Sequence, residues 1–154
     1  MRPALALSVM LAPGVAAADT ADGLVERLDA CIELVGASGD NATYCMGIYT
    51  EPCIDISDNQ TTAGTVECIS VETDAWDEIL NREYAMLLGA LDEAPRAALR
   101  DAQRKWVDFR DADCAFPQVL IEGTLAHPWS ADCVMQHTAR RAVELRGILE
   151  YVEY

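Results

Sequence analysis

Positive charge is scarce in this sequence. Its 154 residues carry 11 lysines and arginines against 26 aspartates and glutamates, a formal net charge of −15. A chain this acidic repels nucleic acid and anionic membrane surfaces, so neither is expected as a partner. It attracts basic partners, through a force that salt screens. Histidine is rarer still, with only His127 and His137. There is no Gly-x-Ser-x-Gly, no His-Glu-x-x-His and no glycine-rich phosphate loop. No nucleophile stands in a recognisable setting of base and orienting group, so the chain is not read as an enzyme. The two histidines lack ligand spacing, and no metal or cofactor is expected. Cys-x-x-Cys is missing too, which removes zinc knuckles and thioredoxin-like redox sites. No run of about 18 apolar residues follows the N-terminal segment, so no stable membrane insertion is expected.

That N-terminal segment has its own grammar. Arg2 is the only charge before Asp19. An apolar stretch from Ala4 to Val15 follows, and it ends in Ala16-Ala17-Ala18, the small-x-small pattern that a signal peptidase reads. Residues 1–18 are therefore read as a secretory signal peptide, with cleavage before Asp19. Residues 19–154 form one domain by length, with formal charge −16 once Arg2 is lost. The expected location is the periplasm or beyond.

Six cysteines lie behind that leader: Cys31, Cys45, Cys53, Cys68, Cys114 and Cys133. An even count in an exported chain reads as three disulfides, although six cysteines allow 15 connectivities. Cys114 and Cys133 flank one stretch between two helices expected to pack side by side, so they are expected to pair. For the others, pairing of sequence neighbours is favoured, Cys31 with Cys45 and Cys53 with Cys68.

Hydrophobic spacing predicts helices rather than strands. Leu24, Leu28, Cys31 and Val35 make one apolar stripe over about residues 21–36. A short helix is possible over 44–49. A long helix covers about 63–91, with Cys68, Val71, Ala75, Ile79, Leu80, Tyr84, Leu87 and Leu91 at helical spacing. Pro95 suits the first turn of the next helix, which runs to about Cys114 with Leu99, Ala102, Trp106 and Phe109 inward. Residues 115–131, with Pro117, Gly123 and Pro128, read mainly as loop. A last helix runs from about Ser130 or Asp132 to Tyr151. The fold expected is all-α, an antiparallel bundle of four or five helices stapled by disulfides.

Some polar residues sit where apolar ones belong. In the last helix Thr138 and Arg141 share a stripe with Val134, Leu145 and Ile148. In the helix before it Gln103 and Arg110 share a face with Leu99 and Trp106. An unpaired buried guanidinium is very costly. Arg110 and Arg141 are therefore expected to reach Asp77, Asn81, Gln103 or Asp111 inside the bundle, in a structural polar network. The 115–132 stretch carries Phe116, Ile121, Glu122, His127 and Trp129. These either fold back as a lid on the core or offer partner-binding groups, with Glu122, His127 and Trp129 the candidates.

One composite motif goes further. It consists of Asp77-x-x-Leu80-Asn81-x-x-Tyr84, then Leu99-x-x-x-Gln103-Arg104-x-Trp106-x-x-Phe109-Arg110-Asp111-x-x-Cys114, then Gly123-Thr124, Cys133 and Thr138-x-x-Arg141-x-x-x-Leu145. Over about residues 65–150 this resembles the lysozyme inhibitor LprI-like N-terminal domain family of bacterial envelope proteins. The resemblance implies an exported helical domain and points to inhibition of lysozyme-like muramidases. A basic protein such as a lysozyme would suit the acidic charge. The alternative is a structural or stress-related periplasmic protein with no enzyme target.

Overall fold

The computed structural model describes residues 23–38 and 41–153. The signal-peptide reading and its cleavage point lie outside these residues. Five α-helices make the fold: α1 (Leu24–Ser38), α2 (Thr50–Asp55), α3 (Thr62–Ala90), α4 (Glu93–Leu120) and α5 (Ala126–Glu153). Two short 3-10 turns, Ala42–Cys45 and Ser57–Asn59, flank α2. No strand occurs among the described residues. The chain is all-α, as its hydrophobic spacing predicts.

Local chemistry sets the helix ends. The Thr61 side chain accepts from the Gly64 N–H at 3.0 Å and caps α3. Gly64 itself is required by packing, because a Cβ there would lie 2.7 Å from the Asn59 backbone. The turn between α4 and α5 uses Gly123 at φ +82°, a conformation open to glycine at little cost.

The three long helices alternate in direction. Gln103, Asp113 and Gln118 of α4 meet Arg141, His137 and Ser130 of α5, so these two are antiparallel. Arg146 of α5 meets Glu83 of α3, while Thr65 and Ile69 share a cavity with Trp129 and Arg140, so α3 and α5 run the same way. Their shared core joins Trp76, Ile79, Leu80 and Leu87 to Met135, Ala139, Ala142, Leu145 and Leu149, and α1 adds Leu24, Leu28 and Ile32. Each fully buried large aliphatic side chain contributes roughly 1.5–3 kcal/mol. Disulfides join Cys31 to Cys45, Cys53 to Cys68 and Cys114 to Cys133.

Several local expectations need correction. The 44–49 segment is a 3-10 turn and bends, and the short helix lies later, at α2. The stretch 115–131 is mostly helix. α4 continues through Pro117 to Leu120, and α5 starts at Ala126, leaving only 121–125 between them. Pro117 falls in the last turn of α4, where losing one N–H costs one bond, and its own carbonyl still accepts from Ile121 at 2.9 Å. Pro128 lies in the first turn of α5, where N–H groups have no helical acceptor. Ala102 and Phe109 are exposed rather than buried. The side of α4 that meets α5 is narrow, and only Gln103 and Cys114 are buried on it.

Candidate partner-binding end

The α4–α5 connection is held by three kinds of bond. The Cys114–Cys133 disulfide crosses it, with Cα atoms 5.4 Å apart. One turn further out, the Gln118 side-chain amide donates to the Ser130 hydroxyl at 2.9 Å and to the Ala126 carbonyl at 3.4 Å. One turn inward, His137 Nε2 lies 2.9 Å from an Asp113 carboxylate oxygen, and Phe109 meets the His137 ring edge-on at 5.4 Å. A rigid support thus ends in a five-residue turn.

Large apolar side chains crowd the supported end and face water. Phe116, Val119, Leu120, Leu125 and Trp129 are each more than half exposed, Val119 at 86%. Phe116 and Trp129 therefore do not close over the core as a lid, and Ile121 alone of that trio is half-buried. Glu122 and His127 are exposed, with His127 Nδ1 3.5 Å from the Gln118 amide nitrogen. The three candidate contact residues, Glu122, His127 and Trp129, thus lie within two helical turns of one connection.

The residues expected to form one internal network separate into three pairs, with Thr138 apart from all of them. Gln103 and Arg141 meet across the α4–α5 seam: the Arg141 guanidinium donates to the Gln103 carbonyl oxygen at 3.0 Å and to Glu144 at 2.8 Å. Thr138 is buried, but its hydroxyl donates to the Val134 carbonyl of its own helix. Asp77 and Asn81 pair with each other on the exposed face of α3. Arg110 reaches Asp111, but as its neighbour on α4 rather than across the bundle: the guanidinium bonds that exposed carboxylate and lies 5.1 Å from the centre of the Trp106 ring. Its side chain is mostly covered, at 19% exposure.

Arg141 is buried, and further buried or part-buried charges lie outside the stripes of α4 and α5. Glu72 is fully buried and accepts from the backbone N–H groups of Gly47, Tyr49 and Thr50 at 2.7, 3.1 and 2.8 Å, and from the Trp76 indole at 3.2 Å. It thereby anchors the irregular 46–50 segment to α3. A second cluster ties α1, α3 and α5 together. Arg82 donates to both Asp29 oxygens, and Arg146 donates to Asp29 and, at 2.9 Å, to Glu83. Burial alone would raise the Asp29 carboxyl, but the hydrogen bonds from Arg82 and Arg146 outweigh it and hold the group below its ordinary value. The Asp29 hydrogen bond, with support from Glu83, raises Arg82 well above its ordinary value. For Arg146 burial opposes the charge, and hydrogen bonds to Asp29 and Glu83 overcome it. A signal was present: Ile69, Glu72, Trp76, Ile79, Glu83 and Leu87 make one stripe of α3, so both glutamates occupy core positions.

A metal centre is poorly served here. Asp113, Cys114, Cys133 and His137 lie close together, but both sulfurs are spent in the disulfide, which leaves two ligands. His127 and His137 are ten residues apart on one helix, about 15 Å of rise, and do not converge.

The family model described as lysozyme inhibitor LprI matches residues 53–145, from α2 through most of α5. The chain belongs to the LprI lysozyme inhibitor family. The match takes in the α4–α5 end and two of the disulfides, and leaves out α1 and the Cys31–Cys45 bridge. An uncharacterized protein of Rhizobium meliloti (strain 1021) is 25% identical over 100 residues, which cover 56% of this chain and 72% of that relative. No solved structure matches. No described helix is long and apolar enough to cross a membrane.

Proposed function

We propose that this LprI family member is an exported envelope protein that binds and inhibits lysozyme-like muramidases, with the α4–α5 end as its contact surface. The observation that carries the reading is the stapled apolar end. Five large apolar side chains stand in water on a support fixed by a disulfide and side-chain hydrogen bonds, an expensive arrangement for a surface with no partner. Glu122 lies in the turn and Trp129 beside it, an acid and an aromatic anchor of the kind that hot spots use. The net charge of −15 draws the protein toward basic enzymes, and many lysozymes are basic. Inhibition would work by occupying the enzyme's cleft, with no bond made or broken. The periplasm or the medium outside the cell is where such a target would be met.

The test is a cell-wall turnover assay with a basic lysozyme, the purified protein, and a variant carrying Glu122→Ala, His127→Ala and Trp129→Ala. Wild type should inhibit, and the variant should inhibit at least tenfold less strongly with unchanged circular dichroism. Full-strength inhibition by the folded variant would move the contact surface elsewhere. No inhibition of any muramidase would favour a structural or stress-related envelope role.

A further inference from the structure

A groove of about 750 Å³ runs beside this end, between α2 and α3 on one side and α4 and α5 on the other. Its surface is mostly apolar. Ile54 and Pro128 contribute to the walls, and the exposed indole of Trp129 belongs both to the groove and to the apolar end. Its charged members come from three helices: Glu51 from α2, Asp113 from α4, Asp132 from α5. Arg140 is the one arginine or lysine in the lining, and it is engaged by the Gln136 side-chain oxygen at 2.6 Å. The Gln136 amide in turn donates to Asp132, and His137 is bonded to Asp113.

We infer that this groove receives an exposed arginine side chain of a basic protein partner. The inference rests on the inhibitor reading and names the chemistry of its contact. An arginine has an apolar stem with a planar cation at its tip. The stem fits the Ile54 and Trp129 walls. The guanidinium can stack on an indole face and donate to a carboxylate in bidentate fashion. Three carboxylates against one engaged arginine disfavour an anionic occupant, and the apolar walls disfavour a hydrated metal ion. Continuity through Trp129 lets one partner cover the apolar end and place one arginine in the groove.

The experiment uses the whole exported chain, labelled with nitrogen-15, and two blocked tripeptides, Gly-Arg-Gly and Gly-citrulline-Gly. Citrulline keeps the shape and removes the charge. The arginine peptide should shift the Trp129 indole and the His137 ring, leaving the buried Trp76 indole unmoved. The citrulline peptide should shift neither at the same concentration. Glu51→Gln with Asp132→Asn, an exposed and a half-buried position, should abolish the arginine shifts and weaken binding of a basic lysozyme about tenfold. Equal shifts from both peptides, or none from the arginine peptide, would overturn the inference. The two readings separate cleanly. If lysozyme is inhibited equally by wild type and the double variant, the groove assignment fails and the inhibitor reading stands. If the arginine peptide binds as described and no muramidase is inhibited, the inhibitor reading fails and the groove's preference for arginine stands.

Discussion

The α3–α5 pair and the α4 helix are nearly the same length and are built on different principles. α3 and α5 bury nine and eight residues respectively, and α4 buries two, Gln103 and Cys114. The first pair is a core in the ordinary sense, with its few buried charges fully met: Glu72 by four donors, and Asp29 and Glu83 by two arginines. The second seam relies on one disulfide, one buried hydrogen bond from Arg141 to Gln103, and more exposed contacts of Asp113 and Phe109 with His137 and of Gln118 with Ser130 and Ala126. A helix so lightly buried adds little to the core. What it does is carry the apolar end at a fixed distance from that core, where the disulfide keeps it in register.

The comparison breaks most readily at Glu72. Glu72→Ala leaves three backbone N–H groups and an indole without their acceptor and should cost about 4 kcal/mol, read as a fall in melting temperature. A loss below about 1 kcal/mol would mean water replaces the carboxylate and the 46–50 segment is not anchored through it. Replacing Cys114 and Cys133 together by Ala comes next. The entropy model gives about 3 kcal/mol for closing a loop of this size. The loss should also be local, with faster hydrogen exchange in the outer turns of α4 and little change in α3. Uniform acceleration through α3 would show that the two seams are one cooperative unit.

How much of this was legible beforehand depended on how each signal is written. The α3 stripe was legible because apolar residues repeat at helical spacing from Cys68 through Ile79, Leu80 and Leu87 to Leu91, over about six turns. The disulfides were legible because each joins neighbours in sequence, 14, 15 and 19 residues apart. Pro117 and Pro128 misled, since a proline stops a helix in its middle but not in a last or first turn. Arg110 was legible in part: it meets Asp111, one of the expected acceptors, but along its own helix rather than across the bundle. Asp29 with Arg82 and Arg146 was hidden because its members lie 53 and 117 residues apart, and no local pattern links such positions.

Smaller effects sharpen the contrast. The Asp29 carboxyl is held below its ordinary value by Arg82 and Arg146. It therefore contributes stability that is fully present above the unfolded carboxylate value, near 3.9, and is lost as pH falls through its lower folded value. Asp29→Asn should be less stable than wild type at neutral pH, and the gap should narrow below about pH 4. A gap that stays constant into acid would mean the cluster is held by packing rather than charge. Smallest of all is Arg110→Met. Its one charge partner among the described residues is the exposed neighbour Asp111, and Met keeps the packed stem, so the melting temperature should move by the equivalent of less than about 1 kcal/mol. A loss of several kcal/mol would place Arg110 inside the bundle after all.

The α4–α5 end is proposed to meet a partner. Hydrogen exchange of the protein alone and bound to a basic lysozyme tests this most directly. New protection should appear within residues 113–137, in the last turns of α4, the 121–125 connection and the first turns of α5, with α1 unchanged. Protection that appears on α1 or the outer face of α3, with residues 113–137 exchanging as in the free protein, would contradict it.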